Sequence, residues 1–412
     1  MTASGAVRFN PFDPAFRADP YPQYRALREH APVHRAFGMW VLTRHADVTV
    51  VLRDRTASVG LVPDLVERQT ARSAARTTVA PESLMRISRL ARTSLVFTDD
   101  PAHQRLRALT GRTFGPRTLE ALRPGIVAEA RRLATALRLD GGGDAVTDLA
   151  APLPLAVLVD ALGLPPERRG DVADWTHRIR FLLEPGLLTA DDLPDVADAV
   201  DAFAATLHDV AAARRRDPRE DLLGSLAAAR TPDGDRLDDE ELVLVAIMTC
   251  VAGLETTAAL LGNGLHALLA HPDQAALLRA EPHRLRDAVA ELLRFDSPLQ
   301  LTRRATTRET VLGDAVVPAG ASVLLCLGAA NRDPEVFVDP DVLDVTRTAG
   351  AHLAYGRGLH GCVGASLASL VAEVALRELL LLPGTLRPAG PVTWQEHSQI
   401  VRAVAHLPVV LR

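Results

Sequence analysis

Apolar residues recur at helical spacing along most of the chain, with prolines marking many of the boundaries. From Pro101 onward the pattern predicts helices over Pro101–Phe114, Pro116–Arg123, Pro124–Leu137, Pro152–Leu162, Pro165–Leu182, Leu193–Arg214 and Glu220–Arg230. Proline suits a first helical turn and not an interior, so each proline is read as a start. Asp238–His271 reads as one helix of about 30 residues, which at about 1.5 Å per residue crosses most of a domain. Shorter helices are expected at Pro272–Ala280 and Pro282–Phe295. A last apolar helix runs from about Cys362 to Leu382 and stops at Pro383-Gly384.

Strand character is scarcer. Val33–Leu42 alternates and is followed by a helical pattern over Ala46–Arg53. Ala305–Cys326 has strand character with turns at Gly313-Asp314 and Pro318-Ala319-Gly320, and Thr393–Arg412 reads as a hairpin. Between Arg55 and Val96 scattered Arg, Ser and Thr break the pattern, so a long functional loop is expected there. No repeat or Gly/Ser linker divides the 412 residues, although length alone suggests two or three domains. The fold class expected is mainly α with a small β region.

Composition excludes more than it suggests. Hydrophobic content of 48% with 24% charged residues is that of an ordinary globular protein, and a net charge of −5 gives no reason to expect nucleic acid or an anionic membrane as partner. The three cysteines, Cys250, Cys326 and Cys362, share no tight spacing, which argues against a disulfide framework and fits a reducing cytoplasm. The opening MTASGAVRFNPFDPAF has no apolar run of the kind a signal peptide needs. The strongest apolar run, Leu242–Leu254, falls short of the roughly 18 residues of a membrane span. A cytoplasmic protein is expected.

The chemistry gathers in four places. Residues 352–368 read HLAYGRGLHGCVGASLA, where Gly356, Gly358, Gly361 and Gly364 bracket Cys362 and lead into an apolar helix. Such glycines permit positive φ and let backbone lie against a flat ligand. A cysteine at a helix N-terminus has its thiolate favoured by free N–H groups, and a buried thiolate facing a planar group is what haem ligation requires. The bland alternative is a turn before a core helix, with an inert cysteine. Second, Ala252-Gly253-Leu254-Glu255-Thr256-Thr257 interrupts the long helix. Glycine there costs about 1 kcal/mol relative to alanine, and threonine can bond back one turn; together they can loosen the ladder and open a groove. A carboxylate beside a hydroxyl in a groove suits proton delivery, whereas a solvated Glu is the plain alternative.

Third, Asp100-Pro101-Ala102-His103-Gln104-Arg105-Leu106-Arg107 opens a helix with Asp99 or Asp100 as cap, and puts His103 and Arg107 on one face, able to grip a carboxylate. Fourth, Glu291 and Arg294 form an i,i+3 pair. Glu120/Arg123, Glu129/Arg132 and Glu281/Arg284 repeat the spacing and read as solvated pairs worth a few tenths of a kcal/mol.

Tyr355-Gly356-Arg357-Gly358-Leu359-His360-Gly361-Cys362-Val363-Gly364 resembles the cysteine-ligand loop of the cytochrome P450 superfamily, with Tyr355 standing where that family usually has Phe. The Glu255-Thr256 step resembles the family's acid–alcohol pair. Glu291 and Arg294 with Arg347 resemble its Glu–Arg–Arg network, Leu343 replacing a usual Phe, and the His103 helix resembles its propionate-binding helix. The likeness runs from Asp19-Pro20-Tyr21-Pro22 to Leu407-Pro408-Val409.

This resemblance implies one domain over residues 1–412, a mainly α triangular prism holding haem b between the central helix and the helix after Cys362. Cys362 is then the iron ligand. Ala252, Gly253, Tyr355, Gly356 and Gly364 lie against the haem, and His103, Arg107, His360 and Arg304 (or its neighbour Arg303) meet the propionates. Glu255 and Thr256 deliver protons. The substrate pocket is drawn from Arg76–Leu95, Phe181–Leu188 (Phe181 and Leu182 foremost), Met248, Ala252, Leu299, Gln300, Leu301, Ser398, Gln399 and Ile400. Cys250 and Cys326 are core residues. The implied function is a monomeric haem-thiolate monooxygenase that oxidises a small organic molecule, in secondary metabolism. Its electrons come from a ferredoxin and ferredoxin reductase docking near Arg107, Arg112 and Arg357. Alternatives are a non-catalytic haem-binding sensor or recruitment module, or oxidation that ends in radical coupling or ring formation. A cysteine hydrolase built on His360 and Cys362 is more distant, because it lacks a third orienting group.

Overall fold

A computed structural model describes residues 9–74, 76–348 and 350–412, with Arg112 described through its backbone alone. At its centre lies the helix Asp239–Ala270, 32 residues and about 48 Å long. It begins on a reciprocal capping box. The Glu241 N–H donates to the Asp238 carboxylate at 2.7 Å, and the Asp238 N–H donates to the Glu241 carboxylate at 2.9 Å. Leu242–Met248 are buried without interruption, because Pro152–Ala161, Arg169–Ile179, Leu193–Arg216, Leu285–Phe295 and Ala365–Leu380 all pack around this helix. Its most apolar stretch has a mean hydropathy of 1.9, long and apolar enough by composition to cross a membrane. That corrects the expectation that no run reaches spanning length, which stopped counting at Glu255. An all-round apolar helix is also what the middle of a helical core demands, and 61% of that stretch is buried inside the protein.

Two other helix expectations are corrected. Pro116–Leu139 is one helix, not two meeting at Pro124. The proline forfeits one backbone bond, but Leu122, Ile126, Ala130, Leu133 and Leu137 continue a single buried stripe across it, and this helix packs along Ala365–Leu380. Packing outweighs the break. Residues 55–96 hold two helices, Leu61–Ala74 and Pro81–Arg92, in place of a loop. The first buries Pro63, Val66, Thr70 and Ser73, so half its inward stripe is hydroxylated and hides the period; the Thr70 hydroxyl is satisfied by the Val66 and Glu67 carbonyls at 3.0 Å.

The β region is small. Val33–Ala36 and Met39–Leu42 form a hairpin through Phe37-Gly38, both at positive φ (51° and 74°), as a two-residue primed turn requires. Met39–Leu42 pairs in parallel with Ser322–Cys326, which pairs antiparallel with Leu301–Ala305 and sets Arg304 opposite Val323. At the C-terminus Thr393–Trp394 and Val404–His406 form the expected hairpin, but Pro408–Leu411 departs from it to lie between Gly142–Asp144 and Leu386–Pro388.

The charge pairs sort by burial. Glu120 and Arg123 sit 3.6 Å apart with 76% and 47% of their side chains exposed, and Glu281/Arg284 is half-exposed. Glu129 is different from the surface pair expected. It is mostly buried and held by both Arg132 (2.9 Å) and Arg169 (2.8 Å), tying two helices together. Glu291 and Arg294 have no side-chain exposure at all, and Arg347 joins them at 3.2 Å.

Candidate functional site

The cysteine loop is shaped by two left-handed glycines. Gly358 has φ +72°, and a Cβ there would lie 2.4 Å from the Leu52 carbonyl oxygen, so only glycine lets the loop cross the end of the helix His45–Arg53. Gly356 has φ +65°. Gly361 and Gly364 do not need positive φ; a Cβ at Gly364 would meet no atom within 4 Å, which marks an open face. The loop is pinned by the Cys362 N–H donating to the Tyr355 carbonyl (2.9 Å) and by Arg107 donating to the Gly361 carbonyl (2.7 Å).

Cys362 carries exposed surface, yet burial pushes its thiol up, while the Gly364 and Ala365 amides and the Arg107 charge pull it down. Both descriptions hold for a sulfur on a concave wall within the protein. Cys250 and Cys326 have no exposed surface, and burial alone pushes the Cys250 thiol up to about 12. The Tyr355 hydroxyl, absent from the usual Phe, shares a 2.9 Å hydrogen bond with Ser369 on the helix Ala365–Leu380.

Beside the loop lies a buried basic cluster. The His103 and His360 rings are 4.5 Å apart. Among the described residues neither ring nitrogen of His103 has a hydrogen-bond partner, the Asp100 carboxylate lying 3.9 Å from Nδ1, nor has His360 Nε2, while His360 Nδ1 donates to the Leu95 carbonyl at 3.2 Å. Burial, with the charges of Arg304 and His103, pushes His360 down to about 4. Arg304 is buried and lowered to about 10 by that burial, against the pull of Asp99. Its NH1 donates to the Arg303 carbonyl at 2.8 Å and to the Thr302 hydroxyl at 3.2 Å. Arg303 is only half-buried, and burial alone lowers it. Arg304 is therefore the member of the pair that joins the cluster. Buried polar nitrogens without acceptors are costly unless a ligand completes them. A planar group bearing carboxylates, set against the glycine face and a thiol, fits these residues.

Arg107 donates from NH1 to the cysteine loop, from the same helix face as His103. One expectation at this cluster is corrected. The helix Ala102–Thr110 has Pro101 as N-cap without a side-chain cap. Asp99 instead takes the Ser58 hydroxyl and the Val59 N–H, and Asp100 pairs with Arg55 at 2.6 Å. Both carboxylates find partners in the segment 55–59, which the sequence left as loop. Arg357 is half-buried on the cysteine loop, and the Arg112 side chain lies outside the described residues.

On the central helix, Ala252–Thr256 are partly accessible between buried Val251 and Thr257. A Cβ at Gly253 would touch only Leu158 Cδ1, at 3.8 Å. The Thr256 hydroxyl donates to the Ala252 carbonyl at 2.7 Å, as expected, but the helix continues unbroken. The opening therefore comes from a side of the helix left without neighbours, not from a loosened ladder.

Glu255 is mostly buried and paired. His397 Nε2 donates to Glu255 Oε1 at 2.7 Å, a partner 142 residues away that no sequence signal announced. Next to it Glu184 accepts the Ser398 hydroxyl and the Gln399 N–H (2.9 Å), and burial pushes the Glu184 carboxyl up.

The expected substrate wall is thereby thinned. Ser398 is committed to Glu184, Met248 and Leu182 are packed in the main core, and Leu301 lies among Phe9, Phe16 and Tyr24. Gln300 donates to the Ser297 carbonyl at 2.8 Å and is packed on Gly328. Ala252, Phe181, Leu299, Gln399 and Ile400 keep accessible surface, and the Gln399 side-chain oxygen is buried without a partner.

The family model described as Cytochrome P450 matches residues 192–382. A vitamin D(3) 25-hydroxylase of Pseudonocardia autotrophica is 36% identical, the alignment covering 100% of this chain and 98% of that protein. Cytochrome P450 monooxygenase PikC of Streptomyces venezuelae is 37% identical, over 96% of this chain and 91% of its own. The crystal structure of CalO2 superposes with a TM-score of 0.90 at 32% identity, covering 99% of each chain. Folded as they are and aligned with them over nearly its whole length, the chain belongs to the cytochrome P450 family of haem-binding monooxygenases.

Proposed function

We propose that Cys362 would hold the haem iron in this chain, that His103, Arg107, His360 and Arg304 would hold its propionates, and that Glu255 and Thr256 deliver protons. The observation that carries this reading is the pair of facing imidazoles whose buried nitrogens, both of His103 and Nε2 of His360, have no hydrogen-bond partner among the described residues, next to Arg304 and the cysteine loop. Gly356, Gly364, Ala252 and Gly253 offer backbone and small side chains on which a flat ring can lie, with the Tyr355 ring held by Ser369. Haem, when bound, supplies the reductive activation of dioxygen, favoured by a thiolate ligand.

The chain's own part is to hold and move protons and to position the substrate. Thr256 gives its hydrogen to Ala252, so its lone pairs stay free to accept a hydrogen bond in the groove. Glu255 stands one residue away as the carboxylate that passes protons on. An apolar molecule with a hydrogen-bond donor suits a wall of Phe181, Leu299 and Ile400 with the free Gln399 oxygen. Relatives named as a vitamin D(3) 25-hydroxylase and a 6-deoxyerythronolide B hydroxylase support an organic substrate of secondary metabolism. The chain works as one domain and a monomer in the cytoplasm. It takes electrons from a ferredoxin and its reductase, with Arg107, Arg112 and Arg357 as contacts on the cysteine side.

The test measures reductant, hydrogen peroxide and organic product together. Thr256→Ala is expected to keep consuming reductant while product per reductant falls and peroxide rises. Unchanged product per reductant would remove Thr256 from proton delivery and leave the groove as a packing feature.

A further inference from the structure

His397 is the hydrogen-bond partner of Glu255, and it comes from the turn between Thr393–Trp394 and Val404–His406, not from the central helix. Its side chain is 32% exposed and that of Glu255 18%, and both line one pocket with Arg180, Phe181, Glu184 and Ser398. The groups around it are few. The His177 ring stands 5.9 Å from the His397 ring, on the helix Arg169–Ile179. Burial, then the charges of Arg180 and His397, holds His177 below its ordinary value. Arg180 follows that helix with its guanidinium 4.4 Å over the Phe181 ring. Glu184 is the second carboxylate, occupied by Ser398 and Gln399. His397 is thus the group that hydrogen-bonds the proton-delivering carboxylate directly, while part of its own ring stays accessible.

We propose that His397 is a positioning residue and proton reservoir for Glu255, recharging the carboxylate from solvent. The proposal rests on the proton-delivery reading of Glu255. In the step, the Nε2–H bond of the His397 imidazolium breaks and an O–H bond forms at Glu255 Oε1. The imidazolium becomes a neutral ring and the carboxylate an acid. After the acid passes its proton into the groove, the ring takes another from solvent hydronium at its accessible edge, which leaves water. Charge and protons then balance, with solvent as the only source.

Glutamine separates the two roles of His397, since its amide can donate to Glu255 and hold it in place but has no proton to give up. The experiment compares holoenzymes of the wild type, His397→Ala and His397→Gln. It reads the carbon monoxide difference band, substrate binding by the shift of the haem absorption band, and turnover against pH in light and heavy water. In both variants the carbon monoxide band and substrate affinity are expected to remain. Turnover is expected to fall by about tenfold or more, with a larger solvent isotope effect and a pH profile that differs from that of the wild type. Turnover and pH profile restored in His397→Gln would overturn the reservoir and leave positioning only. Wild-type behaviour in His397→Ala would overturn both roles. Wild-type turnover and pH profile in a Glu255→Gln holoenzyme would instead count against the proton-delivery reading itself, so the two failures are distinguishable.

Discussion

Cys362→Ala or Cys362→Ser is expected to abolish the red-shifted carbon monoxide band of the reduced protein, while Cys250→Ala and Cys326→Ala leave it intact. The three thiols differ in surroundings, not in kind. Cys250 and Cys326 have no exposed surface, and burial with nothing to offset it disfavours their thiolates. Cys362 alone has surface on a concave wall, two amides directed at its sulfur and a guanidinium nearby, the surroundings in which a thiolate ligand is held. The imidazole and arginine cluster remains in Cys362→Ala, so some haem is expected to stay bound through its carboxylates while the thiolate signature disappears. The check is haem content together with the carbon monoxide spectrum of all the variants. A band that survives in Cys362→Ala and vanishes in Cys250→Ala or Cys326→Ala would overturn the ligand assignment.

The parts of this fold legible in the sequence are those where one residue type does one job. Prolines and acidic caps marked Pro272–Ala280 to the residue and the start of the central helix at Asp238. The glycines around Cys362 marked a loop that two of them, Gly356 and Gly358, hold by positive φ. Legibility failed where a residue served against its usual preference. Thr70 and Ser73 face inward on Leu61–Ala74 because a hydroxyl can bond back to its own helix, so a buried stripe looked polar. Pro124 reads as a helix start in sequence, yet the stripe across it is anchored by another helix far away in the chain.

The site divides in the same way. His103 and His360 were legible because each is embedded in a motif, and the structure sets their rings together. The partners that decide what the motif residues do were not. Arg107 turns to Gly361, Glu255 to His397 and Ser398 to Glu184, at separations of 254, 142 and 214 residues. Such pairings depend on which loops the fold brings alongside, and no local period encodes them. Gln300 and Leu301 were drawn into the pocket by their place in the chain, whereas the sheet turns them toward Gly328 and the N-terminal aromatic cluster.

Glu291→Ala is expected to yield little folded, haem-loaded protein, whereas Glu120→Ala, with the same local spacing, is expected to be almost silent. Arg294 uses every donor it has: Nε and NH2 donate to the two Glu291 oxygens at 2.7 and 2.8 Å, and the Asn331, Pro340 and Val342 carbonyls take the rest. Glu291 Oε1 also accepts the Asp344 N–H at 3.0 Å, and Arg347 reaches on to the Val338 carbonyl at 2.8 Å. The network therefore fastens the strand-free segment 338–347 to the helix Leu285–Phe295. Removing the carboxylate leaves a guanidinium with no exposure and no counter-charge, a loss of about 3–5 kcal/mol. That is a large share of the roughly 5–15 kcal/mol by which a domain is stable. Glu120 is three-quarters exposed and 3.6 Å from its arginine, so its loss stays within about 0.5 kcal/mol. Glu291→Gln keeps the acceptor for Asp344 and loses the charge, and should fall between the two. Thermal melting and haem content decide the matter. Equal melting temperatures for Glu291→Ala and Glu120→Ala would show that spacing, not burial, sets the worth of these pairs.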